Sequence, residues 1–195
     1  MKEVNPIKFA KGNPTVIIPT KREEDMGYDI YANFEEDYLV LPPHKVVLVP
    51  TNLHSAFPKE FGIILKERGS TGTKGMAVRS GVIDSGFRGA WFVPLNNTTD
   101  TPIIIAKSHI VDGIKLEDKK FADLIPCKVI VDGEGNEIYS LPFNRREFII
   151  YPYEKAICQA VVHNVPSTES IEITLDELMA IESERGIGEK GSSNK

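Results

Sequence analysis

Short apolar or alternating runs, separated by turn residues about every ten positions, constrain the fold of this chain more than any other feature. Such runs are typical of β-strands, and Pro42-Pro43-His44, Asn52 and Gly69 are among the turn residues between them. Strands at this spacing are characteristic of an all-β barrel or sandwich. The runs lie at residues 15–19, 28–32, 38–41, 45–50, 62–65, 78–84 and 90–95, and the last two are predicted to form a hairpin that turns at Ser85-Gly86.

The second half of the chain has a less regular pattern. The apolar run 103–106 is followed by a charged stretch, and two further runs, 127–131 and 137–141, flank a turn that contains glycines. We therefore expect an inserted, hairpin-like element within residues 100–153 and a last strand over residues 156–165.

The end of the chain is different again. Residues 175–181 have modest helical spacing, whereas residues 184–195 are rich in Gly, Ser and Lys and are predicted to form a mobile C-terminal arm. The two cysteines, Cys127 and Cys158, lie in separate apolar runs without a CxxC pair, which is typical of buried thiols.

Composition limits the class of protein. A chain of 195 residues can bury one core, so residues 1–195 are predicted to form a single domain. The formal net charge of −5, without a long basic run, argues against direct nucleic-acid binding, which needs clustered Lys and Arg. No apolar stretch is long enough to span a membrane and no secretory signal is recognisable, so we expect a cytoplasmic protein.

Three Gly-bearing segments carry groups suited to a phosphate ligand or to acid–base chemistry. Segment 67–75 combines Arg68 and Ser70 with glycines, which let backbone amides approach an anion closely. Segment 81–89 has Asp84 at the end of an apolar run, where a carboxylate can take a proton from water. Segment 183–193 repeats the mixture of Arg, Gly and Ser. Taken alone, each segment is better explained as a surface turn or a polar terminus.

Taken together and in order, these segments resemble the five motifs of the trimeric dUTP diphosphatase (dUTPase) family. Met26-Gly27-Tyr28-Asp29-Ile30 resembles the first motif, AGYDL, and Arg68-Gly69-Ser70 resembles the second. Residues 81–89, GVIDSGFRG, resemble the third motif, GVIDxxYRG, almost letter for letter. Residues 156–159 resemble the fourth, RIAQ, and residues 185–193 the fifth, RGxGGFGST.

The resemblance implies a β-rich distorted barrel or jelly roll that forms a homotrimer, with each active site built from different subunits. It also implies that the chain hydrolyses dUTP to dUMP and pyrophosphate. Asp84 would be the general base that activates water for attack on the α-phosphorus, and Asp29 would help to hold Mg²⁺, through water.

Substrate contacts are implied in the same way. The phosphates would be met by the second and fourth motifs and covered by the arm, and uracil would be recognised by backbone groups of the third. Phe87, in the place of the family's tyrosine, would stack under the deoxyribose. The implied residues are Arg68, Gly69, Ser70 and Gln159 for phosphate, Val82 and Ile83 for uracil, and Arg185, Ser192 and Ser193 for the outer phosphates.

The chain also departs from the family pattern. Gly69, Ala156 and Lys190 stand where the motifs usually have serine, arginine and an aromatic residue. The insertion over 100–153 is of a kind found in phage-encoded relatives, where an added element can contact a partner protein. Two alternatives follow: a dCTP deaminase, which needs a glutamate close to the hairpin, and a regulatory binding protein that acts through the insertion.

Overall fold

The structure is a computed structural model that describes residues 6–79, 81–116, 130–131, 137–139 and 148–183. In these residues strands predominate, which confirms the predicted all-β class. The strands are β1 (Lys8–Lys11), β2 (Gly27–Ile30), β3 (Tyr38–Leu41), β4 (Val46–Pro50), β5 (Leu53–Ala56), β6 (Phe61–Lys66), β7 (Met76–Val78), β8 (Val82–Ile83), β9 (Phe92–Asn97), β10 (Ile103–Ala106), β11 (Ile130–Val131), β12 (Glu137–Tyr139), β13 (Ile149–Pro152) and β14 (Cys158–Asn164). The helices are α1 (Gly69–Gly72), α2 (Ser108–Leu116) and α3 (Leu175–Ala180).

The strands pair in small sheets with the orders β2-β14-β6-β8, β4-β9-β7, β13-β10-β3, β1-β5 and β11-β12. Neighbouring strands are antiparallel except for β10 and β13. The arrangement is that of a jelly roll. In the described part of the chain no sheet closes on itself, so the predicted distorted barrel or jelly roll takes the form of an open jelly roll.

Strand β10 is deeply buried, and all four of its residues are inaccessible to solvent. Ile103, Ile104 and Ile105 are fully buried, and β10 lies between β3 and β13. Because both faces of this strand are covered, its apolar residues form a continuous run rather than alternating with polar ones. The main core also contains Trp91 and Tyr151, both almost completely buried.

The predicted hairpin over residues 78–95 is wrong. Strand β7 pairs with β9, whereas β8 pairs with β6 in a different sheet. The chain crosses between the two sheets near Gly81, where a Cβ would lie 2.8 Å from the carbonyl oxygen of Leu65. Only glycine permits this close approach, and the crossing leaves residues 84–91 as a loop between sheets.

The predicted strand over residues 15–19 is also wrong: these residues have no strand partner, and side chains meet the polar groups at the start of the segment. Asn13 donates to the Asn33 side chain at 2.7 Å, and Asn33 donates to the Thr15 hydroxyl at 2.9 Å. Asn52 donates to Asn33 as well, and its own backbone is left-handed, with φ 48°. Short polar side chains of this kind compete with a sheet ladder for backbone groups.

The stretch 100–153 begins and ends in the sheet β13-β10-β3, where β10 and β13 lie side by side. Between them come α2, which the sequence did not predict, and the antiparallel pair β11-β12, which confirms the hairpin-like element. The boundaries of the insertion stay a prediction. Strands β1, β5 and β13 were likewise not predicted.

The chain divides into two compact units, Met1–Val165 and Pro166–Lys195. In the second unit α3 starts with a capping box: the Thr174 hydroxyl accepts from the Glu177 amide at 3.2 Å, and the Glu177 carboxylate accepts from the Thr174 amide at 2.7 Å.

The predicted C-terminal arm, 184–195, lies outside the described residues. No helix in the described part of the chain is long and apolar enough to cross a membrane. Cys158 is buried as predicted, and Cys127 lies outside the described residues.

Candidate active site

A cleft of about 700 Å³ lies where β2 and β6 end and β14 begins. Gln159 on β14 is directly opposite Asp29 on β2 and Lys66 on β6. Residues directly opposite each other share one face of a sheet, with Cβ atoms about 5 Å apart. The register therefore brings together the residues that resemble the first and fourth motifs. The cleft is lined by Thr20, Lys21, Arg22, Asp25, Met26, Gly27, Asp29, Arg68, Gly69, Ser70 and Gln159.

Arg68 and Asp29 form a two-pronged ion pair in this cleft. Arg68 Nε lies 2.8 Å from Asp29 Oδ1, and Nη2 donates to Oδ2 at 3.1 Å. Both side chains are about one-third exposed, so solvent screens the pair and its contribution to stability is small. Its main effect is geometric, because two parallel bonds fix the plane of the guanidinium. The remaining nitrogen, Nη1, lies 3.4 Å from the Ser70 hydroxyl oxygen.

The loop that carries Arg68 and Ser70 is held by Thr71. The Thr71 side chain is fully buried, and its hydroxyl accepts from the Arg68 amide at 3.0 Å and donates to the Arg68 carbonyl at 3.1 Å. Gly69 and Ser70 remain exposed on the cleft side of this turn. A Cβ added at Gly69 would meet no atom within 4 Å, so the site leaves room for a larger residue there.

Gln159 is fixed by the residue before Arg68. Its side-chain amide donates to the Glu67 carbonyl at 2.9 Å. Burial disfavours the ionised form of Glu67, but backbone N–H groups, including that of Val78 at 2.8 Å, and the Lys66 ammonium outweigh burial and lower the pKa of Glu67. The Glu67 carboxylate thus anchors β7 to the start of the Arg68 loop. The main-chain carbonyl of Glu67 orients Gln159.

Two cations besides Arg68, Lys21 and Arg22, line the cleft, although the sequence did not single them out. Arg22 forms a two-pronged pair with Asp25, with both N–O distances at 2.9 Å. The Lys21 ammonium donates to the carbonyl oxygens of Asp25 and Arg22, at 2.9 and 3.2 Å, rather than to a carboxylate. The signal in the sequence was the Lys21-Arg22 dipeptide just before the first motif.

The residues that resemble the third motif lie elsewhere. Ile83 pairs with Ile63 and Val82 with Ile64, so the register continues with Asp84 beside Gly62. Gly62 and Lys66 are four residues apart on β6, which corresponds to about 13 Å along a strand. Asp84 is exposed and does not line the cleft that contains Arg68. One copy of the chain therefore does not bring Asp84 to the Arg68 cleft.

The loop after Asp84 has a defined shape. The Phe87 amide donates to the Asp84 carbonyl at 3.0 Å, closing a turn. Arg88 Nη1 donates to the carbonyl oxygens of Ser85 at 2.6 Å and Phe87 at 3.0 Å, and the His54 ring donates through Nδ1 to the Arg88 carbonyl at 2.9 Å. The Phe87 ring is 45% exposed and lies over the backbone of Gly89.

Strand β8, which precedes this loop, is the last strand of its sheet as described. Ile83 is buried and Val82 is 66% exposed. Because only one side of β8 pairs with β6, the backbone N–H and C=O groups on its other side are available to a ligand. A planar base with donors and acceptors along one edge suits such a strand.

Comparison with known proteins assigns the chain. The family model described as dUTPase matches residues 13–111, just over half of the chain, and that range includes the first three motif segments. The chain belongs to the dUTPase family. The deoxyuridine 5'-triphosphate nucleotidohydrolase of Leptospira interrogans is 33% identical to it over 117 residues, which cover 58% of this chain and 80% of that protein. The Pol polyprotein of caprine arthritis encephalitis virus is 29% identical over 125 residues, 64% of this chain and 11% of the polyprotein.

Solved phage dUTPases share the fold. The dUTPase of Staphylococcus bacteriophage 80alpha, described with dUPNHPP, superposes with a TM-score of 0.65 at 20% identity over 98% of this chain and 100% of that one. The dUTPase of phage phi11 of S. aureus, described as having a species-specific insert, gives a TM-score of 0.58 at 16% identity, over 87% of this chain and 96% of that one. These likenesses support the phage-type jelly roll.

Some expectations for this dUTPase-family chain are not addressed by the described residues. Arg185, Ser192 and Ser193 lie outside them, as do most side chains of the insertion on which a protein partner would depend. Within the described ranges no cluster of three or more His, Cys, Asp or Glu side chains is arranged to hold a metal ion. Asp29, the predicted metal residue, faces the cleft with both carboxylate oxygens bonded to Arg68.

Proposed function

We propose that this dUTPase-family protein hydrolyses dUTP to dUMP and pyrophosphate in sites that two or more copies of the chain build together. The observation that carries the proposal is the separation of two half-sites. One is the cleft at the end of β6, which is lined by Asp29, Arg68, Ser70 and Gln159. The other contains Asp84, which lies near the opposite end of β6. Each half has the chemistry that one part of dUTP needs. The similarity to a nucleotidohydrolase at 33% identity supports the choice of substrate.

The Arg68 cleft is the half that would hold the triphosphate. Arg68, Ser70 and Gln159 offer donors, and Lys21 and Arg22 add positive charge at the rim of the same cleft. The planar guanidinium of Arg68 suits phosphate oxygens, since Nη1 and Nη2 each carry a second N–H besides the ones directed at Ser70 and Asp29. Donors that are already in place stabilise the charge that develops on the α-phosphate during attack.

The Asp84 half would hold the nucleoside and the water. The free edge of β8 at Val82 and Ile83 would recognise uracil through backbone groups, and the Phe87 ring would stack under the deoxyribose, where it leaves no room for a 2'-hydroxyl. The Asp84 carboxylate would take a proton from a water molecule as the water oxygen attacks the α-phosphorus. The bond from that phosphorus to the oxygen bridging to the β-phosphate then breaks, and pyrophosphate leaves with the electron pair.

Mg²⁺ fits this cleft as an ion shared with the substrate. Mg²⁺ commonly keeps several waters and binds through one or two carboxylates together with substrate phosphates. Asp29 would meet the ion through water, since both of its carboxylate oxygens are bonded to Arg68, and Asp25 is paired in the same way with Arg22. When bound, the ion would neutralise part of the triphosphate charge. The structure of the phi11 dUTPase variant is described as containing a structural Mg(II) ion, which is in keeping with magnesium use in related proteins.

A homotrimer is the assembly that we propose. The separation of the two half-sites requires at least one further copy of the chain, and the family resemblance indicates three. An exposed apolar area on the outer face of β4 and β9 supports contact between copies: Val46 is 53%, Leu48 61% and Phe92 48% exposed. Contiguous apolar residues on a sheet face commonly mark an interaction surface.

The test is release of pyrophosphate from dUTP by the full chain with Mg²⁺. Wild type should hydrolyse dUTP, and Asp84→Asn should lower kcat by about 10²- to 10⁴-fold, since it removes the general base. Asp100→Asn, a matched change at an exposed carboxylate that pairs with His44, should leave kcat unchanged. No release from dUTP, or a fully active Asp84→Asn variant, would refute the proposal. Conversion of dCTP would instead indicate a deaminase, although β9, Phe92–Asn97, contains no glutamate.

A further inference from the structure

The loop between β8 and β9 carries Asp84, the proposed general base. Asp84 is exposed, and its carboxylate forms no hydrogen bond or ion pair with another residue that the structure describes. The direction of this carboxylate therefore depends on the backbone that carries it. Strand β8 is only two residues long and ends at Ile83, directly before Asp84. The loop beyond Ile83 thus needs support from another part of the fold.

Strand β5 supplies that support through three consecutive residues. The Trp91 amide donates to the Leu53 carbonyl at 2.8 Å, and Trp91 is fully buried. The His54 ring meets the Arg88 carbonyl through Nδ1 at 2.9 Å. Because a carbonyl oxygen can only accept, the His54 ring carries a proton on Nδ1. Arg88 Nη1 also lies 3.5 Å from the Ser55 carbonyl oxygen, so β5 holds the second half of the loop at Arg88 and at Trp91.

The Arg88 side chain extends this support back to Asp84. Its two short hydrogen bonds run from Nη1 to the carbonyl oxygens of Ser85, at 2.6 Å, and Phe87, at 3.0 Å. Nη1 carries two N–H groups, so each carbonyl can receive one of them. The Phe87 amide donates in turn to the Asp84 carbonyl at 3.0 Å and closes the turn that begins at Asp84. A continuous set of hydrogen bonds therefore joins β5 to the backbone of Asp84.

We propose that His54 and Arg88 are positioning residues that hold the Asp84 turn in the shape needed for catalysis. The inference rests on the proposed function, since it takes Asp84 as the general base. A misplacement of about 1 Å at a reacting group can lower a rate by about 10²-fold, so the geometry of this turn should matter for kcat. Neither His54 nor Arg88 lines the Arg68 cleft, so phosphate binding should not depend on them.

Two substitutions of His54 separate its hydrogen bond from its packing. Asn carries an NH₂ group at the position of His Nδ1, whereas Leu has a methyl group there. His54→Leu should lower kcat for dUTP by about tenfold or more, and His54→Asn should stay within about threefold of wild type. Arg88→Met, which keeps the stem without the donors, should lower kcat by about tenfold or more. His109→Leu is the matched control at a histidine that pairs with Asp37, and its kcat should stay within about twofold of wild type.

Two further measurements, made well below the Tm of each variant, distinguish positioning from a general loss of structure. Hydrogen exchange of the Phe87 amide should be faster by about 2- to 12-fold in His54→Leu and Arg88→Met, because each loses hydrogen bonds that hold the turn. Binding of inorganic pyrophosphate, measured by calorimetry, should be unchanged in every variant. Equal losses of kcat in His54→Leu and His54→Asn, or a lower kcat with wild-type exchange of the Phe87 amide, would overturn the positioning role.

The same measurements separate this inference from the proposed function. An active wild type whose His54→Leu and Arg88→Met variants keep full kcat overturns the positioning role and leaves the proposed function in place. A wild type that does not hydrolyse dUTP overturns the proposed function. Exchange of the Phe87 amide then decides whether His54 and Arg88 hold the turn: faster exchange in the two variants supports that role, and equal exchange overturns it as well.

Discussion

Gly89→Ala is expected to displace the Phe87 ring without unfolding the protein. A Cβ at Gly89 would lie 2.6 Å from Cζ and 2.9 Å from Cε2 of Phe87. Carbon atoms in contact lie about 3.5–4.0 Å apart, so the ring must retreat by about 1 Å or swing away. The ring is 45% exposed and lies at the free end of its side chain. It can therefore move with little change in the free energy of unfolding.

Gly86→Ala is the matched control. Gly86 lies in the same loop, and a Cβ there would meet no atom within 4 Å. Neither glycine has a left-handed φ, so backbone strain does not distinguish the two substitutions. Both variants should keep a Tm close to that of wild type.

The assay is kcat/KM for dUTP and for UTP. An aromatic ring contact contributes about 0.5–1.5 kcal/mol, so Gly89→Ala should lower kcat/KM for dUTP by about 2- to 12-fold. The value for UTP should fall less, because the displaced ring no longer excludes a 2'-hydroxyl, and selectivity for dUTP should drop. Gly86→Ala should keep the wild-type selectivity. A folded Gly89→Ala variant with unchanged selectivity would refute the role assigned to the Phe87 ring.

Substitutions at two further positions test a residue with a left-handed backbone and a departure from the second motif. His44 has φ 56°, in the left-handed region, so His44→Gly should be more stable than His44→Ala by about 1 kcal/mol, the reverse of the usual order. Thermal unfolding should show this as a Tm difference of about 2–4 °C, and a more stable alanine variant would contradict the backbone argument. Gly69→Ser has open space for its side chain and adds a phosphate donor, so kcat/KM for dUTP should rise by up to about tenfold, whereas Gly69→Ala should not raise it. Equal kinetics for the two Gly69 variants would show that a hydroxyl at this position does not reach the phosphates.

The local sequence pattern was sufficient to predict the bounds of a strand where the residues of that strand alone indicate how deeply it is buried. The run 103–106 predicted β10 with correct bounds because three consecutive isoleucines are buried in the middle of a sheet. The run 38–41 likewise matches β3. The hairpin over 78–95 was wrong because pairing depends on Gly81, whose close contact with Leu65 takes β8 to a different sheet. No property of the segment itself reveals that contact.

The residues of the candidate site also divide into those that the sequence predicted and those that it did not. Asp29, Arg68, Ser70 and Gln159 were selected by motif order, and the register of β2, β6 and β14 brings them into one cleft. Lys21 and Arg22 were not selected, because only the tertiary position of the segment before β2 places them at the cleft. Spacing in the sequence does not encode such a tertiary position.

The central claim is that Arg68 and Asp84 act in the same site from different copies of the chain. Its most direct test mixes two inactive variants, Arg68→Gln and Asp84→Asn, unfolds them together and refolds them at equal concentration. Random assembly should restore about a quarter of the wild-type rate of pyrophosphate release, because half of the Arg68 copies and half of the Asp84 copies are intact. Each variant refolded alone should stay inactive. A mixture no more active than the separate variants, with mixed assemblies demonstrated by differential tagging, would contradict the shared site.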